Sequence, residues 1–313
     1  MAPEKPGDGL QVVKGKAVVL VAWLVLAMLA GIALAGPAVG PDGLERTQKT
    51  SEPPPGSPAL LPTPQFRRYG AADGLPNALV YGIAQDRHGL MWFATDDGVA
   101  RYDGVEFKVY RAVAGDASAL PSSENFMLYV DLQGRLWIGG VSSGLSLYLE
   151  AGDRFRSWQH DPRDPRSLAH NEVWAVAQTR DGQLWVATSA GLDRMRADGN
   201  GFDHIVLPPS GDDAKSELRG LWADGSGRLW IATRHGLYVR DSGGRIRPLP
   251  VEPGFDFRQH EIWHIDGDDG TVRIATDDRL LEVGADGVAR PVGVPQSADQ
   301  RISGSLRDRH GRL

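Results

Sequence analysis

The chain has 313 residues, no cysteine, a formal net charge of −6 and a sequence pI near 5.8. Without cysteine it can form no disulfide framework, thiolate metal site or cysteine nucleophile. The acidic balance argues against a nucleic-acid surface, for which a basic stripe is expected.

The N-terminal part of the chain predicts membrane targeting. Residues 1–16 carry Lys5, Lys14 and Lys16, and residues 17–35 form an uncharged run rich in Val, Leu and Ala. This pattern predicts a cytoplasmic n-region followed by a signal peptide or a membrane anchor, with the rest of the chain exported to the periplasm. Residues 36–64 are rich in Pro, Gly and Ser and predict a linker.

From residue 65 onward the chain repeats one motif, which reads DRHGLMWFATDDG over residues 86–98 in the first copy. Four copies carry Trp at the equivalent position and a fifth carries Arg, at positions 92, 137, 185, 230 and 273. These positions are 45, 48, 45 and 43 residues apart, and a period of that size marks a repeat architecture. A sixth copy begins at Asp308.

Each unit predicts four short strands, which in the first unit cover about residues 80–86, 90–95, 99–102 and 107–111. The Asp-x-x-Gly sequence supplies the turn between the first two strands, because Gly accepts a positive φ and Asp can bond its own backbone nearby. The second strand is apolar on both faces, as expected of a strand packed between neighbouring sheets. Small residues at one position of this strand predict close approach of the neighbouring backbone, namely Ala94, Gly139, Ala187, Ala232 and Ala275.

These features predict an all-β protein in which residues 65–313 form a β-propeller of four-stranded blades. About five and a half units are present, whereas propellers usually close with four to eight blades. An open array leaves one blade face and one sheet edge unpaired. We therefore expect an incomplete ring, from the front of a longer protein or from a truncated product.

Propeller ligands commonly bind at the mouth of the central channel, on loops that lead into the inner strands. Aromatic side chains there suit a sugar or a peptide, and amides and carboxylates can bond hydroxyl groups. The candidate ligand-binding residues are Asn77, Tyr81, Asn125, Asn171, Trp174, Arg219, Trp263 and Arg273. For any one of them, packing of the top of the barrel is the alternative explanation.

The fifth unit departs from the others, because Arg273 replaces Trp and Arg279 replaces the second Gly. We favour a degenerate blade as the explanation. The alternative is that Arg273 reaches the channel and contacts an anionic ligand.

We predict no catalytic residue, metal site or cofactor in this segment. The histidines lie in or near connections and lack the spacing of a zinc helix. Paired acids such as Asp277 and Asp278 are interpreted as turn formers, because no alternating Asp/Asn loop ending in Glu supports calcium binding.

Several stretches together resemble a known family. They are DGLPN at residues 73–77, VYGIAQD at residues 80–86, GLMWFAT at residues 89–95 and DPRDPRSL at residues 161–168. This pattern resembles the two-component regulator propeller repeat.

The resemblance implies the periplasmic sensor region of a hybrid histidine kinase or a diguanylate cyclase, with a seven-bladed propeller. It implies a small ligand such as a carbohydrate or a cell-envelope fragment, attachment to the membrane, and a homodimer in the full-length protein. The output module is absent from residues 1–313, so no catalysis is expected of this segment.

Two other functions stay open, namely a propeller enzyme such as a lyase or glycosidase, and a passive periplasmic interaction scaffold. The sialidase Asp box places its Asp two residues before Gly, whereas Asp86 lies three residues before Gly89. A lyase would need a convergent His and metal-binding carboxylates.

Overall fold

The computed structural model describes residues 67–208, 217–234, 236–268, 270–284 and 286–292. The predicted n-region, membrane-targeting segment and linker (1–16, 17–35 and 36–64) and the sixth copy of the motif lie outside these residues. The chain divides into two units, Met1–Arg68 and Tyr69–Leu313, and all the sheets described below lie in the second. Within the described part, no helix has the length and apolar character needed to cross a membrane.

The described residues form five four-stranded antiparallel sheets, each a simple meander in which neighbouring strands follow one another in the chain. The first sheet contains β1 (Val80–Gln85), β2 (Met91–Thr95), β3 (Gly98–Tyr102) and β4 (Phe107–Tyr110). The second contains β5 (Asn125–Val130), β6 (Leu136–Gly140), β7 (Leu145–Leu149) and β8 (Arg154–Trp158). The third contains β9 (Val173–Gln178), β10 (Leu184–Thr188), β11 (Gly191–Met195) and β12 (Phe202–Ile205).

The fourth sheet contains β13 (Leu218–Ala223), β14 (Leu229–Thr233), β15 (Gly236–Arg240) and β16 (Ile246–Pro248). The fifth contains β17 (Ile262–Asp268), β18 (Thr271–Thr276), β19 (Leu280–Val283) and β20 (Ala289–Val292). Short 3₁₀ turns at Ala71–Asp73 and Phe257–Gln259 are the helical segments of the described chain. The predicted strands of the first unit are confirmed to within one residue at each end.

The first strand of each sheet packs against the first strand of the next, from β1 through β5, β9 and β13 to β17. These five are the inner strands, and the sheets are the blades of a β-propeller. The second strands form the core between blades, since every residue of β6, β10 and β14 is buried. The predicted all-β propeller fold is therefore confirmed.

The turn between the first and second strands binds the repeated tryptophan. In blade two, Asp131 Oδ1 accepts hydrogen bonds from the backbone N–H groups of Gln133 (3.0 Å) and Arg135 (2.9 Å). Its Oδ2 accepts the indole Nε1–H of Trp137 at 2.8 Å, and Trp137 is 1% exposed. Gly134 completes the three-residue loop with a φ of 75°, as a bulged hairpin turn requires.

The same hydrogen bond recurs in three other blades. Trp92 donates to Asp86 at 2.8 Å and Trp230 donates to Asp224 at 3.1 Å. In blade three the acceptor is the Oγ1 of Thr179, 3.1 Å from the indole nitrogen of Trp185. The Asp-x-x-Gly turn and the Trp six residues after its Asp thus form one unit, in which the turn satisfies the polar atom of a buried indole.

Blade five lacks both parts of this unit. Its turn is one residue shorter, because Asp268 pairs directly with Thr271 across a two-residue loop that ends in Gly270. Arg273 occupies the Trp position and is 2% exposed. It forms an ion pair with Asp266 on the facing strand, with 2.9 Å between Nε and Oδ1. A buried ion pair therefore replaces the indole and its turn acceptor together.

Small residues allow the blades to approach one another closely. A Cβ at Gly139 would lie 2.8 Å from the Met127 side chain and 3.0 Å from that of Val173 in the next blade. On the inner strand, a Cβ at Gly82 would lie 2.9 Å from the carbonyl oxygen of Phe126, the backbone of the following blade. At the predicted position Gly139 the close neighbours are side chains, and the backbone of the next blade is approached instead at Gly82 on the inner strand.

The first blade is less covered than the others. Phe93 and Ile138 occupy equivalent positions of β2 and β6, yet Ile138 is fully buried whereas Phe93 is only partly buried. Ile83 on the same blade is 36% exposed. The difference arises because Ile138 packs against blade one, while no described sheet precedes blade one in the chain.

A polar cluster joins blades one and two. Asp153, in the turn between β7 and β8, accepts hydrogen bonds from Tyr110 (2.7 Å) and Tyr148 (2.6 Å) and pairs with Lys108. Burial acts to raise the pKa of Asp153, but the hydrogen bonds from Lys108 and the two tyrosines outweigh it and lower the pKa to about 2.

We expect Asp131→Ala to lower the free energy of unfolding by about 2–4 kcal/mol, because a buried indole N–H and two backbone N–H groups lose their acceptor. The matched control is Asp198→Ala, since Asp198 is an exposed turn residue that binds the backbone of Asn200. We expect a loss within about 0.5 kcal/mol for the control. Urea unfolding followed by tryptophan fluorescence measures both, and equal losses would contradict the role given to the Asp131 carboxylate.

In blade five, Arg273→Leu removes the cation that lies 2.9 Å from the Asp266 carboxylate, which is 19% exposed. We expect a loss of about 3 kcal/mol in the free energy of unfolding. The double variant Asp266→Leu/Arg273→Leu removes both charges and is expected to be more stable than Arg273→Leu alone. A double variant that is less stable than the single one would show that the ion pair is not the dominant interaction at this position.

The lowered pKa of Asp153 predicts an acid-sensitive contribution to stability. Because the folded-state pKa lies below the ordinary aspartate pKa of 3.8, the contribution is present above about pH 4 and is lost as the pH falls towards 2. Asp153→Asn should therefore lower the thermal midpoint at pH 6 and flatten its change between pH 4 and pH 2. Parallel profiles for the variant and the wild type would contradict this assignment.

Candidate ligand-binding site

Every described blade has a β-bulge at the second residue of its inner strand. In blade one the pairing shifts between Val80 and Gly82, which leaves Tyr81 opposite no single partner. The same shift occurs in the other four blades. The bulged residues are Tyr81, Phe126, Trp174, Arg219 and Trp263, which we call the bulge ring. Bulges commonly re-aim a side chain, and here they recur at the end of the channel where the inner strands begin.

Four members of the bulge ring contact one another across neighbouring blades. The rings of Phe126 and Trp174 are 5.0 Å apart between centroids. The guanidinium carbon of Arg219 lies 4.2 Å from the ring centre of Trp174 and 5.7 Å from that of Trp263. The result is a continuous row of aromatic, aromatic, guanidinium and aromatic groups, with Trp263 39% exposed at its end.

Two carboxylates hold Arg219 in this row. Its Nη2 lies 3.0 Å from Glu217 Oε2 and 3.2 Å from Glu261 Oε1. Arg234 approaches the same two carboxylates, at 2.9 Å from Glu261 and 3.8 Å from Glu217. The four side chains form a charge-balanced group, which we call the quartet.

Arg219 keeps one N–H group without a protein partner. Its side chain is 9% exposed, and its buried Nε donates no hydrogen bond to any described residue. A buried donor in this state is costly and requires a water or a ligand oxygen.

Two other members of the bulge ring, Trp174 and Tyr81, are fixed by hydrogen bonds. Trp174 Nε1 donates to Ser189 Oγ at 2.9 Å, and Ser189 in turn donates to Glu172. Tyr81 donates its hydroxyl to Asp96 at 3.0 Å. Partial burial and this hydrogen bond raise the pKa of Tyr81, so the phenol stays neutral at physiological pH.

Acidic residues outnumber basic ones at the mouth, which is built from the starts of the inner strands and the turns between second and third strands. Among the described residues there, the carboxylates are Asp96, Asp97, Glu124, Glu172, Glu217, Glu261, Asp277 and Asp278. The guanidinium groups are Arg219, Arg234 and Arg279. Each of these three is paired with a carboxylate, Arg279 with Asp278 at 3.4 Å.

The three predicted asparagines lie in the mouth loops, where they bond to the protein itself. Asn77 accepts from the backbone of Leu79 at 2.9 Å, and Asn171 accepts from the backbone of His160 at 2.7 Å. Asn125 is 1% exposed and is bonded by Ser143. These side chains shape the loops that precede the inner strands.

Arg273 is not brought together with the others. It lies three residues before the end of β18 at Thr276, roughly 10 Å from the mouth along the strand, and its charge faces Asp266. Of the predicted residues, the structure therefore assembles Trp174, Arg219 and Trp263, and places Tyr81 at the same register.

The predicted mouth loops contain Phe126, Glu172, Glu217 and Glu261, but these four were not among the candidate ligand-binding residues. A signal for them exists, because four units place Glu two residues before the bulged residue, at 124, 172, 217 and 261. The first unit has Leu79 instead. Aligning the units on the inner strand, and not only on the Trp motif, would have revealed this pattern.

One group of side chains at the mouth has a composition suited to a divalent cation. Ligand atoms of His260, Asp277 and Asp278 lie within 4.8 Å of one another. His260 Nδ1 is 2.8 Å from Asp278 Oδ1, a contact that satisfies both groups directly. The sequence analysis interpreted these acids as turn formers, and the structure adds the neighbouring imidazole.

A separate recess lies at the opposite end of blade three. Arg194, Arg196 and Asp203 line it, and Asp203 pairs with both arginines, at 2.8 Å and 2.6 Å. It shares no residue with the bulge ring.

The arrangement at the mouth is suited to binding. Indole and phenyl faces offer apolar platforms, the quartet and Glu172 offer hydrogen-bond acceptors, and Arg219 Nε offers a donor. Side chains held by neighbours on adjacent blades are pre-organised, which limits the entropy lost when a ligand binds.

Comparison with known proteins agrees with the sequence resemblance. Residues 74–97 and 167–190 match the family model described as "Two component regulator propeller". A histidine kinase of Formosa agariphila is 36% identical over 55 residues, which is 18% of this chain and 4% of the kinase.

Solved structures share the fold at low identity. One is the extracellular domain assigned to a hybrid two component system of B. thetaiotaomicron, with 20% identity, a TM-score of 0.50, and coverage of 78% of this chain and 39% of that one. Another, assigned to a one component system of the same organism, has 17% identity, a TM-score of 0.58, and coverage of 75% and 31%. A streptogramin B lyase has 16% identity, a TM-score of 0.54 and coverage of 71% of both chains.

The chain thus spans less than two fifths of the length of the bacterial sensor domains to which it is similar. Both matched stretches contain the turn whose side chain accepts the indole N–H of the repeated Trp, from Asp86 in the first and from Thr179 in the second. The family match therefore agrees with the propeller fold. The predicted resemblance to the two component regulator propeller repeat is confirmed in these two stretches of the chain.

Proposed function

We propose that this chain is the ligand-sensing propeller region of a membrane-bound signal-transduction protein and that it lies outside the cytoplasm. The family match and the extracellular sensor domains of similar fold support this role. In the full-length protein the output module is a histidine kinase or a diguanylate cyclase, and ligand binding shifts the equilibrium between two arrangements of a homodimer. The propeller itself performs no catalysis.

The bulge ring is the observation that carries this proposal. Five bulges recur at one register, and bulges are over-represented next to binding sites because they re-aim a side chain. The bulges place Phe126, Trp174 and Trp263 in a row at the mouth, where a ligand can reach the exposed face of Trp263.

The unpartnered donor of Arg219 points to the same site. A buried N–H without an acceptor costs about 1–3 kcal/mol, which a ligand oxygen would recover. Together with the aromatic faces, this donor suits a carbohydrate or a sugar-containing fragment of the cell envelope.

Trp263→Ala should weaken binding of such a ligand by tenfold or more, because an exposed aromatic platform of this kind contributes about 2 kcal/mol when it is a binding hot spot. The matched control is Trp158→Ala, an indole on the outer strand β8. Binding of a panel of oligosaccharides and soluble peptidoglycan fragments is measured by isothermal titration calorimetry.

The thermal midpoints of both variants show whether each remains folded. One result would place the ligand elsewhere on the propeller. In that result a panel member binds the wild type and Trp263→Ala equally well but binds Trp158→Ala more weakly.

A further inference from the structure

We infer that the mouth selects uncharged glycans over glycans that carry carboxylate, sulfate or phosphate groups. The inference rests on the proposed function and adds the charge class of the ligand. It concerns the bulge ring and the quartet of Glu217, Arg219, Arg234 and Glu261.

The first argument is that the arginines of the quartet are already matched by acids. Glu217 and Glu261 each approach both Arg219 and Arg234, at distances between 2.9 and 3.8 Å. An anionic ligand group that approached either guanidinium would therefore lie close to two carboxylates that already balance the positive charge. The Arg219 side chain is also 9% exposed, so its charge is largely covered.

The second argument is the sign of the surroundings. Glu172 lies beside Trp174 through Ser189, and Glu124 is exposed at the equivalent position of the preceding blade. Like charges brought together across an interface suppress the wrong partner. An anionic group stacked on Phe126 or Trp174 would therefore meet carboxylates on adjacent blades.

The third argument is what the site offers to a neutral sugar. Hydroxyl groups can donate to the free lone pairs of the carboxylates and can accept from Arg219 Nε, which binds no described residue. The apolar face of a sugar ring can lie on Trp263. A cationic group is disfavoured at the row itself, because Arg219 already occupies the space between Trp174 and Trp263.

The experiment uses the full chain and chemically matched probes. Uronic-acid oligosaccharides of defined length are compared with their carboxyl-reduced, uncharged counterparts, together with a set of common neutral hexasaccharides. Binding is measured by calorimetry at low and at high salt. We expect the neutral member of at least one pair to bind, and its acidic counterpart to bind at least tenfold more weakly.

The decisive variant is Glu217→Gln/Glu261→Gln, which keeps hydrogen-bonding groups beside the two arginines and removes both negative charges. We expect it to bind the acidic member at least tenfold more tightly than the wild type does. The matched control is Glu150→Gln, since Glu150 pairs with Arg87 on the opposite side of the blades and should leave the ratio unchanged. Thermal midpoints verify that both variants are folded.

The failures are distinguishable. If an acidic glycan binds the wild type as tightly as its neutral counterpart, and loses affinity in Trp174→Ala, the ligand site stands and the charge selection is wrong. If acidic binding persists in Trp174→Ala, the anion binds elsewhere, for example at Arg194 and Arg196, and it gives no support for selection at the mouth. Absence of binding by every probe would overturn the proposed glycan-sensing function together with this inference.

Discussion

The hydrogen bond between a buried indole and the turn that precedes it is the interaction on which the blades depend. A tryptophan between two sheets contributes a large apolar surface, but its N–H must be satisfied where water cannot reach it. In blades one, two and four the carboxylate that shapes the Asp-x-x-Gly turn also accepts this N–H, at 2.8–3.1 Å. One side chain therefore stabilises the hairpin turn and also satisfies the N–H of the indole that is buried in the next strand.

Blade five shows that a buried polar group needs a partner even where the tryptophan is absent. Its turn is one residue shorter than in the other blades and does not supply the usual acceptor to the Trp position. That position holds Arg273, which is paired with Asp266. A buried cation demands a nearby anion just as a buried indole demands an acceptor. The polar demand of the inter-blade core is thus met in two chemically different ways within one chain.

At the mouth, the regular strand pairing within each described blade is interrupted by a β-bulge. The bulged residue is aromatic in blades one, two, three and five, and is Arg219 in blade four. Charge compensation by Glu217 and Glu261 lets this guanidinium lie against two indoles without presenting a free positive charge. The mouth therefore combines aromatic platforms with hydrogen-bonding groups.

The local sequence was enough to predict the repeat, the blade and most strand boundaries, because a 43–48 residue period and a local turn motif act over short distances along the chain. It also pointed to Trp174, Arg219 and Trp263 as mouth residues, since all three lie at the start of an inner strand. It did not determine that Asn125 is buried and bonded by Ser143, 18 positions away, or that Arg273 faces Asp266 on the adjacent strand rather than the channel. The quartet depends on residues still farther apart, since Arg219 and Glu261 are separated by 42 positions and meet only when neighbouring blades pack. A local sequence pattern carries no information on such a meeting.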